Sequence, residues 1–193
     1  MMIQNDIGDI RRTMDFQQSR TYQNLLNAYQ IEAELNTRYE IYADQARLEG
    51  YIEIATIYEA TARNEKEHAR IWMRRLNEGT LPNTEQNLQN SYDQETDLGN
   101  SLFREYARIA RDEGYNDIAA LFNGVANIEL NHDLQFRTLH DRMIRGELFC
   151  KPTESLWICM QCGNILSGLC APEICPVCSF PQGYYRLYAG EII

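Results

Sequence analysis

Proline is almost missing from the first three quarters of this chain. Between Thr21 and Arg145 the only one is Pro82. A stretch so poor in helix breakers, and built mainly of Ala, Leu, Glu, Arg, Asn and Tyr, is predicted to form long helices. No apolar run approaches the roughly 20 residues a membrane span needs, and the N-terminus MMIQNDIGDIRRTMDFQQ lacks the apolar centre of a signal peptide. A cytoplasmic protein with no membrane association is therefore expected. Positive charge is also scarce: 18 Lys and Arg stand against 28 Asp and Glu, a formal net charge of -10. Such a surface repels nucleic acid and anionic lipid, so neither is expected as a partner.

Glycine marks out the helices. Gly50 separates helix A (about Thr21 to Leu48) from helix B (about Ile52 to Asn77), and the stretch GTLPNT ends helix B. Helix C runs from about Glu85 to Arg111, and Gly114 separates it from helix D, which continues to about Arg145. Two short connections and one longer one point to an all-α antiparallel four-helix bundle. From Leu156 the composition turns to Cys, Gly, Pro and aromatics, which predicts a small loop- and β-rich metal domain. The expected boundaries are an N-terminal extension over 1–20, the bundle over 21–146, a linker over 147–155 and the metal domain over 156–193.

An internal repeat sharpens the helical part. EGYIEIATIYEATARNEKEH, from Glu49 to His68, recurs as EGYNDIAALFNGVANIELNH, from Glu113 to His132, at an offset of 64. Each copy ends in Glu-x-x-His: Glu65 with His68, and Glu129 with His132. Residues three apart share a helix face, so each motif can aim one carboxylate and one imidazole at the same point. Only three histidines exist in the chain, and two occupy these equivalent positions.

Counting from the turns supplies further ligands. Glu32 lies 18 residues before Gly50 and Glu65 lies 15 after it. In an antiparallel hairpin their heights then differ by only about 4–5 Å. The same count brings Glu95 to Glu129. Glu32, Glu65, His68, Glu95, Glu129 and His132 together match the inward-facing ligands of di-iron carboxylate bundles, a hard oxygen and imidazole set suited to Fe or Mn. Glu95 falls one residue short of the repeat position of Glu32, which is Thr96, while Tyr42 and Ala43 still pair with Tyr106 and Ala107. One extra residue therefore sits between Glu95 and about Phe103. It is predicted to be absorbed as a π-bulge, with Gly99 easing the bend.

The six cysteines are not spaced like a disulfide framework. Cys159, Cys162, Cys175 and Cys178 form C-x2-C-x12-C-x2-C, so that two pairs of thiolates can close a tetrahedron around one metal. Spacing alone slightly favours structural zinc. A redox-active pair of metals in the same chain shifts the choice to iron, with zinc as the substitute in a recombinant sample. Cys150 and Cys170 fall outside the pattern and are expected to be free thiols or packing residues in a reducing compartment.

The run NLLNAYQIEAELNTRYEIYADQARLEGYIEIATIYEATARNEKEHA, the second EGY copy with its Glu-x-x-His, and the tail WICMQCGNILSGLCAPEICPVCSFPQGYY together resemble the rubrerythrins, from about Asn24 onward. The resemblance implies a ferritin-like di-iron bundle joined to a rubredoxin-like Fe(Cys)4 domain. It also implies peroxidase activity that reduces hydrogen peroxide to water as protection against oxidative stress. Electrons would come from a redox donor protein, either a rubredoxin or an NAD(P)H-dependent reductase. A homodimer is implied too, in which the cysteine domain of one subunit can serve the di-iron site of the other. The rival expectations are an O2-reactive ferroxidase or oxidase and an iron-storage protein with a structural zinc domain. Three positions depart from the family pattern. Leu98 stands where a further Glu ligand is usual, Phe103 where a tyrosine is expected, and Phe180 where a histidine follows the last cysteine.

Overall fold

The computed structural model describes residues 15–188. Most of the expected N-terminal extension therefore lies outside the described residues. The chain falls into two compact units, Met1–Pro82 and Asn83–Ile193.

The first unit is a helical hairpin of α1 (Arg20–Leu48) and α2 (Ile52–Leu76). Ser19 caps α1, its hydroxyl accepting from the Tyr22 amide at 3.0 Å. At the turn Gly50 adopts φ +86°, and the Tyr51 and Gly50 amides donate to the carbonyls of Ala46 and Arg47 at 2.8 and 3.1 Å. Those are the two bonds of a Schellman stop, which favours glycine because the residue must enter the left-handed region. The residues buried in the two helices are all alanines: Ala43, Ala46, Ala55, Ala62 and Ala69. Small side chains along the seam let the helices lie close together.

The second unit opens with the matching hairpin. Asn83 and Gln86 form a reciprocal capping box at the start of α3 (Thr84–Asp97). After a π-helical segment at Leu98–Leu102, α4 (Phe103–Asp112) continues the same rod, and α5 (Asn116–Ile144) returns. Gly114, at φ +91°, repeats the stop of Gly50, with Tyr115 donating to Ala110 at 2.8 Å. The buried Ala107, Ala110, Ala119 and Ala126 each stand 64 residues after a buried alanine of the first hairpin. Aromatic rings obey the same offset. Tyr39 and Tyr58 stack at 5.9 Å, and Phe103 and Phe122 at 6.1 Å.

The predicted π-bulge is where the extra residue required it, but Gly99 serves a different purpose from the one expected. Its φ is not left-handed. Instead, a Cβ there would lie 2.8 Å from Leu130 Cγ and 2.9 Å from the Ala126 carbonyl oxygen, so Gly99 allows close approach to α5.

The C-terminal part of the second unit is a three-stranded antiparallel sheet, β1 (Cys150–Cys159), β2 (Ile165–Cys170) and β3 (Tyr185–Leu187), ordered β2-β1-β3. Strand β1 begins inside the segment expected as linker. Trp157, Cys159, Ala171, Cys175 and Tyr185 form its buried core, and the Trp157 indole donates to the Gly168 carbonyl at 3.1 Å. A mostly helical chain ending in a small sheet domain is the predicted fold class.

Candidate metal centres

Three clusters of ligand-type side chains stand among the described residues. The first belongs to α1 and α2. Glu65 and His68, one turn apart, place Oε2 and Nδ1 at 2.9 Å, and Glu32 brings its Oε2 to 3.5 Å from the same nitrogen. The second belongs to α3 and α5, where Glu129 lies 2.9 Å and Glu95 3.7 Å from His132 Nδ1. Within each cluster all ligand atoms lie within 4.8 Å of one another. The four residues expected from the repeat and the two expected from counting along the hairpins thus fall into two matched triads, one per hairpin.

Electrostatics in the triads suit a cation. The neighbouring Glu32 carboxyl, and then the His68 imidazole, hold Glu65 below the usual carboxylate range, whereas Glu65 raises the pKa of His68. Burial, followed by the proximity of Glu129, pushes Glu95 upward. Glu95 Oε2 is also buried with no hydrogen-bond partner. An orphaned carboxylate oxygen is costly to bury unless something positive completes it. Two carboxylates and one imidazole per triad form the hard donor set that Fe or Mn favours. The residues present fit a bound metal.

Asp97 is not drawn into the second triad. The π-segment begins at Leu98, after Asp97, so the backbone between Glu95 and Asp97 stays α-helical and keeps Asp97 exposed on another face. Thr96, the repeat equivalent of Glu32, is engaged elsewhere: its hydroxyl donates to the Tyr92 carbonyl at 2.8 Å and accepts from Arg137 at 2.9 Å. The third histidine, His140, packs edge-on against Tyr92 at 5.5 Å and belongs to no cluster.

The third cluster is Cys159, Cys162, Cys175 and Cys178. Two similar turns carry it. The Cys159 amide donates to the Asn164 carbonyl and its own carbonyl accepts from Gly163, at 2.9 and 2.8 Å. Cys175 repeats this with Phe180 and Ser179 at 2.8 and 2.9 Å. Gly163 and Ser179 both adopt positive φ, 78° and 60°, to close these turns. The Cys159–Cys178 and Cys162–Cys175 sulfurs are 3.7 Å apart in each pair. A tetrahedron with metal–sulfur bonds of about 2.3 Å has edges of about 3.8 Å, so these two edges match coordination spacing, and all four sulfurs lie within 4.8 Å of one another. Their thiols titrate unequally. Burial opposes ionisation of Cys175, but the Tyr185 hydroxyl beside it and the Cys178 and Val177 amides bring it down to about 6. The Phe180 amide lowers Cys178, but burial and the neighbouring sulfurs outweigh it and push Cys178 up to about 12. Four crowded sulfurs cannot all carry charge without a cation among them.

Cys150 and Cys170, expected as free thiols or packing residues, are instead joined in a disulfide. They face one another as partners at the ends of β1 and β2. The sequence signal for this was the pairing of the two strands, which cysteine spacing alone does not reveal.

Comparison with known proteins identifies the family. The rubrerythrin family model matches residues 23–139 and 86–157, and the model of the rubrerythrin rubredoxin-like domain matches residues 157–186. Rubrerythrin-1 of Clostridium acetobutylicum is 32% identical over 184 residues, covering 88% of this chain and 94% of that protein. Rubrerythrin of Nitratidesulfovibrio vulgaris is also 32% identical, over 180 residues, covering 88% and 94%. A solved nigerythrin chain is 21% identical, with 97% of this chain and 100% of that one covered at a TM-score of 0.34. The chain belongs to the rubrerythrin family, with a rubredoxin-like domain at its C-terminal end.

Proposed function

We propose that this protein is a non-haem di-iron peroxidase that reduces hydrogen peroxide to water, with electrons passed through the four-cysteine iron. The observation that carries this reading is that one chain holds two matching Glu, Glu, His triads together with a cluster of four cysteines. Each triad offers two carboxylates and one imidazole, the kind of ligands that hold iron in carboxylate bundles. Glu32, Glu65, His68, Glu95, Glu129 and His132 would hold the two ions, which would supply the two electrons needed to reduce the peroxide.

The chain's own residues set the conditions for that chemistry. Four carboxylates bring negative charge that stabilises the oxidised state, while the imidazoles of His68 and His132 provide neutral donors that retain the reduced one. Partial shielding of the carboxylates raises the strength of these interactions above their value in water. Cys159, Cys162, Cys175 and Cys178 would hold a single iron, which would supply one-electron transfer from a donor protein such as a rubredoxin or an NAD(P)H-dependent reductase. A homodimer, located in the cytoplasm, is part of the same reading. No described helix is long and apolar enough to cross a membrane.

Leu98 favours a second reading, an O2-reactive ferroxidase or oxidase, because six ligands without a further carboxylate leave the iron pair no alternative donor. Fully reduced protein mixed in separate experiments with H2O2 and with O2 tests the choice. The proposal expects oxidation to be much faster with peroxide, at one H2O2 per di-iron pair. Faster oxidation by O2 would overturn it. A colourless four-cysteine site containing zinc, with iron accumulating beyond two ions per triad pair, would instead indicate storage.

A further inference from the structure

The four metal-type cysteines leave Cys150 and Cys170, and we propose that these two form a separate redox site. In this site a dithiol is closed to a disulfide by hydroperoxide and reopened by thiol reductants, fastening or freeing the strand that leads into the four-cysteine fold. The pair sits where such a change has a local effect. Cys150 opens β1 and is paired with Cys170 at the end of β2. The next paired residues are Ser155 and Gly168, so β1 carries five residues of chain against two on β2 over that interval. The ladder is thus interrupted across Lys151–Glu154, as expected where surplus residues bulge out of a strand pair. On the far side of that interruption the strand pairing at Cys150 and Cys170, with Ala171 N–H donating to the Phe149 carbonyl at 2.8 Å, accompanies the disulfide. With the disulfide open, residues 149–154 are held by that short pairing, by the Ser167 hydroxyl donating to Glu154 Oε1 at 3.0 Å and by the packing of Phe149, without a covalent tie. Most of the core, Trp157, Cys159, Cys175 and Tyr185, lies beyond the bulge, with Phe149 packed against its edge.

Access also fits. Cys170 is exposed and Cys150 half-buried, unlike the buried Cys159 and Cys175. The exposed Cys170 thiolate attacks one peroxide oxygen, breaking the O–O bond to give a sulfenic acid and hydroxide. Cys150 then displaces the second hydroxide, forming the S–S bond. The sum is two thiols and H2O2 giving one disulfide and two waters, with two electrons passing from sulfur to oxygen. A dithiol reductant returns both electrons and both protons. The closed loop spans a sequence separation of 20 and contains Cys159 and Cys162, so oxidation also ties together the segment carrying half of the iron ligands.

This site does not rest on peroxide turnover at the carboxylate centre, and the experiment keeps the two apart. Iron-loaded full-length protein is reduced with dithiothreitol, desalted without oxygen, and treated with H2O2 before maleimide labelling and peptide mass mapping. The same is done with Glu65→Ala/Glu129→Ala protein. Expected before peroxide are maleimides at Cys150 and Cys170 alone. Expected after it are loss of both labels and an intrachain 150–170 cross-link, in both proteins, with the visible spectrum of the four-cysteine iron retained. In Cys150→Ser protein, dimedone should trap the sulfenic acid at Cys170. Amide exchange over 148–154 should speed up several-fold on reduction, while 157–159 and 185–187 stay protected. Thiols that remain labelled after excess peroxide, cross-links only between chains, or unchanged exchange over 148–154 would each overturn the proposal without touching the di-iron reading.

Discussion

Replacing Gly99 with alanine tests whether the π-segment is shaped by close packing or by backbone flexibility. Helix propensity alone favours alanine, which should gain about 0.5–1 kcal/mol in an unstrained helical site. At Gly99 the new methyl would stand 2.8 Å from Leu130 Cγ, 2.9 Å from Leu130 Cδ2 and 2.9 Å from the Ala126 carbonyl oxygen. The leucine side chain can turn aside, but the carbonyl belongs to α5 and yields only if the helices separate. Overpacking of this kind typically costs about 1–3 kcal/mol. The net expectation is destabilisation of about 1–2 kcal/mol, which lowers Tm by roughly 2–4 °C per kcal/mol in a chain of this size.

Gly124 is the internal control, because it lies within α5 with ordinary φ and nothing within 4 Å of its would-be Cβ. Gly124→Ala should stabilise the protein by about 0.5–1 kcal/mol. Both variants are compared with the parent by thermal and denaturant unfolding at equal metal loading, since bound metal itself adds stability. Separation of α3 from α5 should also draw Glu95 away from Glu129 and weaken metal binding in the second triad. If Gly99→Ala is as stabilising as Gly124→Ala, the close approach is not what requires glycine and the packing argument fails.

Further outcomes follow from the two kinds of metal centre. Glu65→Ala or Glu129→Ala should remove metal from the carboxylate site while the four-cysteine site keeps its ion; metal analysis showing two ions still bound at the carboxylates would refute the ligand assignment. Cys159→Ala should abolish turnover with a reductase yet leave a single burst of oxidation when pre-reduced protein meets peroxide, and full steady-state turnover would remove the role assigned to the cysteine domain. Leu98→Glu adds a negative charge one turn from Glu95, so it should lower the potential of the iron pair and speed the peroxide reaction relative to that with O2. Potentiometry and stopped-flow traces check this, and an unchanged potential would show that position 98 does not face the metals.

Much of this architecture could be read from local signals. Gly50 and Gly114 mark turns because left-handed stops demand a residue without a Cβ, and the 64-residue repeat exposes the two triads because helical spacing converts directly into height. The π-segment was legible for the same reason, as a count that failed to match by one residue. What escaped were features created by pairing across the chain. The role of Gly99 depends on where Leu130 and Ala126 of α5 approach it. The Cys150–Cys170 bond depends on the register of β1 against β2, including three surplus residues that no spacing rule anticipates.

The position of the surplus residue bears on why Leu98 matters. A regular helix lacking it would place Glu95 18 residues before Gly114, the same spacing that Glu32 has from Gly50. The triad distances already match, 3.5 Å from Glu32 to His68 and 3.7 Å from Glu95 to His132. The extra residue is therefore not needed to aim Glu95. What it alters is the stretch from Leu98 to Leu102, where the wider turn brings Gly99 against α5 and leaves Leu98 half-buried, three residues from Glu95 and on its face of the helix. The family resemblance puts a carboxylate at position 98. In this chain the widened turn carries instead a side chain that can bind no metal. Leu98→Glu therefore tests whether that turn can present a carboxylate to the metals: a lowered potential supports it, and an unchanged one refutes it.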